Sequence, residues 1–594
     1  MDDKFIGFLL LMIIATLFFR YNFDNGPIKS KHDSTENAAH VSEQETSKVE
    51  NIVKIDTYDD IFNNLNDYKN SDENHGRVCN DDEDCEIIKN QYITVSFSKQ
   101  NGRIQSVKLT EYKDYNNEYV ELIDNTFIDN IHIVFQNNAI YDTYKSTNVV
   151  VEKQGDRKII VTYIYEDEDD NRLLVTNTFE LSSMLKHRYE LKRDITIEGC
   201  VERIKNIELQ IYDNIRRQEN NAEDCSKKVV IKYLDKNSKI VDCYVKNKYT
   251  SCPDTVQWLN IMQKFFSVGL SHSSVNGEFK NVKVKLIPYE GAEKQKYLHT
   301  AKVILEPFNK VKEELESNLN YYFGPNIKHY MSFFSYNFDK NLYFGVPVIR
   351  LLNEYVVDKI VKVCHELFRM HSVVILLLLL ILFFILYLPL FARSLKIKKK
   401  IELLGATIQH INAENSKNIG LRDLKMQTLY RKAKINSKST LFIVFLQAIF
   451  FTAMLSFIPQ EISFRNEQFL WCKDLSNYDS ILDFSFHIPI YGNHVGLFSL
   501  LSLFLVFIIS FIKSLLAKSD DKKKENNGFV KNLISVFIIL CFNNTCAALQ
   551  LFYYGFMHIM SIFECFIDNI MCDPIAIENE LRKDVDNFRK NNYT

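Results

Sequence analysis

The stretch VVILLLLLILFFILYLPLFA, residues 373–392, runs directly into RSLKIKKK, residues 393–400. Twenty uncharged residues are enough to cross ~30 Å of hydrocarbon as a helix rising ~1.5 Å per residue. The cationic run behind them is a stop that stays on the cytoplasmic side. Further along, the hydropathy predicts spans over 441–458 and 495–512. The last apolar block, 529–571, is broken by Asn543 and Asn544 and reads as a tight helical hairpin whose first arm is short for a span.

Charge fixes the orientation. Between residues 393 and 438 there are twelve Lys and Arg against Glu402, Glu414 and Asp423. The 459–494 loop holds Arg465 and Lys473 against Glu461, Glu467, Asp474, Asp479 and Asp483. Lys513, Lys518, Lys522, Lys523, Lys524 and Lys531 then follow the next span. Basic, non-basic, basic is the positive-inside alternation. It places the region before residue 373 outside, in a periplasm-like space.

A chain of 594 residues is too long for one domain, and its apolar residues are unevenly spread. The formal charge of -3 averages a basic membrane part with an acidic linker, so it predicts no partner by itself, and DNA binding is not expected. Six of twelve cysteines, Cys79, Cys85, Cys200, Cys225, Cys243 and Cys252, fall on the outer side, where an oxidising compartment allows disulfides. Their spacing fits no metal module. Cys541, Cys546 and Cys565 read as small apolar fillers in helices.

Residues 5–19 are uncharged, mostly apolar and stopped by Arg20. Without a basic start or an A-x-A-like site, residues 1–22 read as an uncleaved signal anchor with its amino end inside, a cleaved signal being the alternative. Residues 23–90 form a polar linker too poor in apolar residues to offset ordering entropy. From residue 91 the pattern alternates with period two, at 92–98, 104–109, 131–135, 158–165, 173–181, 188–197, 207–211, 229–234, 282–288 and 301–305. Many short strands between polar turns predict an all-β sandwich over 91–330, with 311–318 as a helix. Residues 331–372 form a connector in which Val346, Ile349, Leu352, Val356, Val357, Ile360, Val361 and Cys364 recur at helical spacing. That amphipathic helix suits the outer bilayer interface, or else packs on the β-domain.

His365 and His371 are six apart, whereas a zinc-binding helix needs two histidines four apart. No P-loop, dinucleotide fingerprint or Cys-x-x-Cys pair occurs. No catalytic residue, metal or cofactor is therefore expected, and the chain does not read as an enzyme. The basic segment 393–440 reads as a cytoplasmic helical hairpin. Ile397, Ile401, Leu404, Ile408 and Ile411 form one stripe, and Leu421, Leu424, Thr428, Leu429 and Tyr430 another. Arg393, Lys396, Lys398, Lys399, Lys400, Arg431 and Lys432 are left for solvent, lipid head groups or a ribosome.

MQTLYRKAKIN (426–436), FIVFLQ (442–447), FLWCKDLS (469–476) and CAALQLFY (546–553) resemble, in order and spacing, the YidC/Oxa/Alb membrane protein insertases. Trp258 to Val268 and Tyr322-Phe323-Gly324-Pro325 are similar to landmarks of the family's bacterial external domain. The resemblance implies a helical bundle of five core spans (373–392 and those within 441–571), a β-supersandwich in the periplasm, and a cytoplasmic tail at 572–594. It also implies a multi-pass protein of the bacterial inner membrane with both termini cytoplasmic. Such a protein inserts and folds nascent membrane proteins without ATP, alone or beside the Sec translocon, with the ribosome met by the cytoplasmic loops and tail. Clients would enter a polar groove open to lipid, touching Gln447, Ala448 and Ile449 on the third span and Phe552 and Tyr553 on the last, although Tyr553 reads equally as packing.

The chain departs from the family at the groove. The position of the family's groove cation is Phe384, and no Lys or Arg lies within 373–392. The family's helix-breaking prolines and glycines are replaced at Ser437, Ser439, Thr440, Ile443, Ile449 and Cys546. Asn436, Gln447, Thr452 and Gln550 are then the expected sources of residual polarity. The competing class is a membrane-anchored periplasmic binding or scaffold protein that has lost insertase activity. A transporter or intramembrane enzyme needs ionisable residues at mid-membrane, which the three long spans essentially lack.

Overall fold

The computed structural model describes residues 84–570, except 167–171, 245, 253–254, 275–276, 292–294, 312–313, 369, 416–417, 436, 490 and 517–521, together with residues 579 and 583. The expected anchor at 1–22, almost all of the 23–90 linker and of the 572–594 tail, and Asn436 lie outside the described residues. The described residues divide into two compact units, one before Tyr343 and one from Tyr343 onward.

In the first unit, period-two sequence becomes antiparallel sheet. Along Arg172–Leu181, the buried side chains are Leu173, Val175, Asn177, Phe179 and Leu181, every second residue. This strand belongs to a ten-stranded sheet, faced by a six-stranded sheet built on Ile204–Arg216 and Tyr297–Glu306 and preceded by a four-stranded one. Arg193 of the large sheet donates to Asp129 of the six-stranded sheet at 2.7 Å, and the Tyr321 hydroxyl donates to the same carboxylate at 3.0 Å. Trp258 is fully buried, its indole donating to the Tyr336 carbonyl at 2.9 Å and its ring 5.1 Å from Phe338. A Cβ at Gly269 would come within 2.6 Å of the Phe338 ring, so glycine is what lets this aromatic plug seat.

Two expectations change here. Residues 311–318 are not a helix: Glu314–Pro325 is a strand between Glu190–Gly199 and Phe266–His272. Its Glu and Leu favour helix locally, but Leu319, Tyr321 and Phe323 reach the core only from a strand, and burial outweighs propensity. The sheet also begins inside the stretch assigned to the linker, since Cys85–Lys89 pairs with Ile93–Ser98 and Ile88 is fully buried. Cys85 is disulfide-bonded, whereas Cys200, Cys225, Cys243 and Cys252 stand outside any disulfide.

The second unit is helical. The expected connector helix is broken, with Pro347–Leu352 and Asp358–Glu366 joined by a π turn over Asn353–Val357. The buried Asn353 amide donates to the Phe344 carbonyl at 2.9 Å and the Ala453 carbonyl at 3.0 Å. Only part of the expected stripe faces inward: Ile349, Val357, Val361 and Cys364 are buried, while Val346 and Val356 are exposed. Among the described residues seven α-helices follow: α1 (Ser372–Leu403), α2 (Gly405–Glu414), α3 (Ile419–Lys432), α4 (Ser437–Phe457), α5 (Leu497–Leu516), α6 (Lys522–Phe542) and α7 (Ala547–Ile570). Among the described residues, α1 and 497–515 of α5 are each long and apolar enough to cross a membrane. At ~1.5 Å per residue α1 outruns the hydrocarbon, so its last turns carry the Lys396–Lys400 cluster beyond it. The loop between α4 and α5 holds a two-stranded hairpin, Leu482–Ile488 with Gly492–Val495, that hydropathy did not foretell.

Candidate functional site

The facing sides of α1, α4 and α7 carry aromatic residues at helical spacing, and these interlock. Phe383 stacks on Phe450 with centroids 3.6 Å apart and lies 4.8 Å from Phe556. Phe451 meets Tyr553 at 5.0 Å, and the Tyr553 hydroxyl donates to the Phe451 carbonyl. The residues assigned to the groove sit around this plug. Phe384 is half-buried, 5.2 Å from Phe563. Gln447, Ala448, Ile449 and Thr452 are half-buried on α4, as is Tyr553 on α7, while Phe552 is fully buried.

Their polar groups work locally. Gln447 accepts from the Tyr387 hydroxyl at 2.8 Å, and the Thr452 hydroxyl donates to the Ala448 carbonyl one turn back. Gln550 is fully buried and donates to the Asn543 and Thr545 carbonyls at 2.9 and 3.0 Å. It therefore ties off the α6–α7 turn. Gln447 thus bonds across to α1, Thr452 within α4 and Gln550 within the α6–α7 turn.

Polarity collects one helix away, on the face that α5 turns to α7. Ser499 and the Tyr554 hydroxyl share a hydrogen bond at 3.0 Å, and Ser502 meets His558 Nε2 at 2.8 Å. Lys513 Nζ donates to Ser561 at 3.0 Å and to Glu564 at 3.1 Å. The other Glu564 oxygen accepts from Lys398 of α1 at 3.4 Å, so one carboxylate stands between two ammonium groups. Asn532 of α6 donates to Ser510 at 2.7 Å. Ser510, Lys513, Asn532, Ser535, His558 and Ser561 line a cavity of about 30 Å³, room for a water molecule. Ser499 and Lys513 are fourteen residues apart, so the seam runs ~21 Å along the helix. The sequence did carry a signal for it: Ser499, Ser502, Ser510 and Lys513 fall on one face of α5, and Tyr554, His558 and Ser561 on one face of α7. Attention to long charge-free runs passed over polar residues spaced among apolar ones.

The basic loop divides. Arg393, Lys396 and Arg431 are exposed, and Lys432 is half-buried. Lys398 holds Glu564, and Lys399 lies 3.5 Å from Glu402. Lys400 does not face lipid or ribosome: it is buried and donates toward the Ala433 carbonyl at the end of α3, where a cation favours the helix dipole. Leu404, Ala433 and Ile435, with Ile397, Ile401, Ile408, Leu429 and Tyr430, form the hairpin core. Leu421 and Leu424 are exposed, so only part of the second stripe packs inward.

An all-β unit joined to a bundle of apolar helices with a polar seam defines a membrane-associated protein carrying a β-sandwich domain. The family model described as YidC periplasmic domain matches residues 87–357, and the one described as 60Kd inner membrane protein matches residues 363–573. The chain is 26% identical to the membrane protein insertase YidC of Amoebophilus asiaticus, over 84% of this chain and 81% of that one. It is 25% identical to the membrane protein insertase YidC of Parabacteroides distasonis, over 93% and 89%. A crystal structure described as an active YidC insertase with the first transmembrane domain resolved is 14% identical, with a TM-score of 0.31, over 82% of this chain and 93% of that one. The chain belongs to the YidC family.

Proposed function

We propose that this chain is an insertase and chaperone of the bacterial inner membrane that passes nascent membrane proteins sideways into lipid, alone or beside the Sec translocon. The observation that carries the reading is the α5–α7 seam with its small cavity, polar over most of a span's length. A polar segment of a client is costly in hydrocarbon, and a seam of hydroxyl, imidazole and ammonium groups lowers that cost. The aromatic plug packs α1, α4 and α7 together, while Lys513 and Lys398 share Glu564 at the end of the seam nearest the basic loop. Helices α1, α4, α5, α6 and α7 are the five core spans, joined to an amino-terminal anchor, with both termini cytoplasmic and the β-domain periplasmic. Client apolar segments run along Gln447, Ala448 and Ile449 of α4 and Tyr553 of α7, while Phe552 serves packing. Arg393, Lys396 and Arg431 face head groups or a ribosome.

The competing reading, a scaffold without insertase activity, is favoured by the plug itself, which puts Phe384 where the family has a cation. Depletion separates the two. Insertion of small one- and two-span clients should fail without the chain, and a stalled client should crosslink to cysteines placed at Ala448 and Ser561. Undiminished insertion after depletion would establish the scaffold.

A further inference from the structure

The 482–495 hairpin is built inside out. Side chains alternate along its first strand, so Leu482, Phe484, Phe486 and Ile488 share one face, and Asp483 and Ser485 the other. Phe484 and Phe486 stack at 5.3 Å, as neighbours on one face do. Leu482 pairs with Val495, and Asp483 with His494. Asp483 and Ser485 are exposed, and the buried anchor of the hairpin is on its second strand. His494 is fully buried, its ring stacked on Tyr478 at 3.9 Å and its Nε2 hydrogen-bonded to the Asn543 carbonyl at 3.0 Å. On the apolar face, Phe486 is 60% and Leu482 56% exposed, a placement that water opposes.

The hairpin is held firmly in this orientation. The Asn543 amide donates to the Tyr491 and His494 carbonyls at 3.1 and 2.9 Å, and its oxygen accepts from Gly496 N–H at 3.1 Å. Gly492 has φ +104°, and a Cβ there would lie 2.7 Å from the Asn544 side chain. These bonds clamp the hairpin to the α6–α7 turn at the head of α5. The hairpin ends at Val495 and α5 begins at Leu497, and along α5 Leu500, Leu501, Phe504 and Phe507 are exposed. The exposed Trp471 packs its indole 4.7 Å from Phe498 at the start of α5.

We propose that this hairpin is a membrane-surface element, its Leu482–Phe484–Phe486 face seated in the outer interfacial layer of the lipid bilayer beside the α5–α7 seam. What covers the face is lipid because the hairpin leads directly into a helix long and apolar enough to cross a membrane and is fixed by hydrogen bonds at that helix's head. Interfacial depth suits aromatic rings, and burial there removes the exposed apolar area from water. The placement holds whether or not clients pass through the bundle.

Tryptophan quenching in vesicles tests it without any client. The chain has two tryptophans, and Trp258 is buried in the β-domain. In full-length protein carrying Trp471→Phe, a tryptophan is introduced by Phe486→Trp or by Ser485→Trp, both at exposed positions. The protein is reconstituted into phosphatidylethanolamine–phosphatidylglycerol vesicles bearing bromines near the head group or deep in the chains. The added tryptophan at 486 should be quenched severalfold more by the shallow bromines than by the deep ones and be shielded from aqueous iodide. That at 485 should show the reverse preference for iodide over bromine. Equal iodide quenching at both positions would put the hairpin in water and overturn the proposal. Protection of 486 from both quenchers would overturn it in favour of a protein cover, a second copy or another part of the chain. Unchanged melting of each variant in detergent shows that the fold is intact.

Discussion

Lys513 lies near one end of an otherwise apolar helix, yet its position changes what the bundle can do. With Lys398 it shares Glu564, so removing Lys513 leaves the carboxylate one cation. Lys513→Met should therefore cost little stability, about 1 kcal/mol or less for a partly exposed pair, while insertion of one-span clients falls severalfold at equal protein level. Arg193 behaves differently, because both it and Asp129 are buried. Arg193→Met should destabilise the β-domain by about 3–5 kcal/mol by leaving Asp129 uncompensated, and Arg193→Met with Asp129→Leu should recover most of that. Urea unfolding followed by Trp258 fluorescence reads both. Glu190, 2.8 Å from His187, is pushed up to about 7 by burial, against the lowering by the histidine. The folded chain then keeps a proton that the unfolded chain releases near 4.5. The stability this group contributes is whole below about 4.5 and is lost as pH rises through about 7. The urea midpoint should fall across that window, and Glu190→Gln should flatten the fall.

At the scale of elements, the α6–α7 turn holds more than two helices together. Asn543 read as a break in an apolar run, and it is one, but its side chain also makes three hydrogen bonds to the 491–496 backbone. Asn543→Ala should cost about 1–3 kcal/mol for each group left buried and unpaired. Limited proteolysis should then cut within 482–495 sooner than elsewhere in the bundle, and equal cutting rates would deny the turn its anchoring role. The same scale shows why 311–318 misled. A single strand's identity depends on the two strands beside it, and Glu314–Pro325 lies between partners at residues 190–199 and 266–272. Cys85–Lys89 escaped notice for a related reason, since five residues behind an acidic run carry too little periodicity to register.

Across the whole molecule, two readings of the membrane part can be compared by water access. A cysteine at Ser561 should react with a membrane-impermeant maleimide added from the cytoplasmic side, above the parent chain's background, while one at Phe384 should be protected by the aromatic plug. Protection at Ser561 would mean a dry seam and would remove the physical basis for easing polar segments through the bundle. Much of the architecture was legible beforehand. Apolar runs, charge alternation and period-two strands are properties of neighbouring residues, and each is enforced by one solvent, lipid or water. Family resemblance pointed to Gln447, Ala448 and Ile449 of α4 and Phe552 and Tyr553 of α7 as the working surface; in the structure the two helices meet through aromatic rings, Phe450 with Phe552 and Phe451 with Tyr553.

The sequence by itself determined that this chain associates with a membrane and that an all-β domain precedes the helices. Those outcomes follow from transfer free energy and side-chain alternation, which act locally along the chain. Only the tertiary structure decided where polarity gathers. Ser502 finds His558 across 56 residues and Lys513 finds Glu564 across 51, because helix packing selects which faces meet. A polar atom placed in a low-dielectric interior must take whichever partner that packing supplies, and no one-dimensional pattern names it.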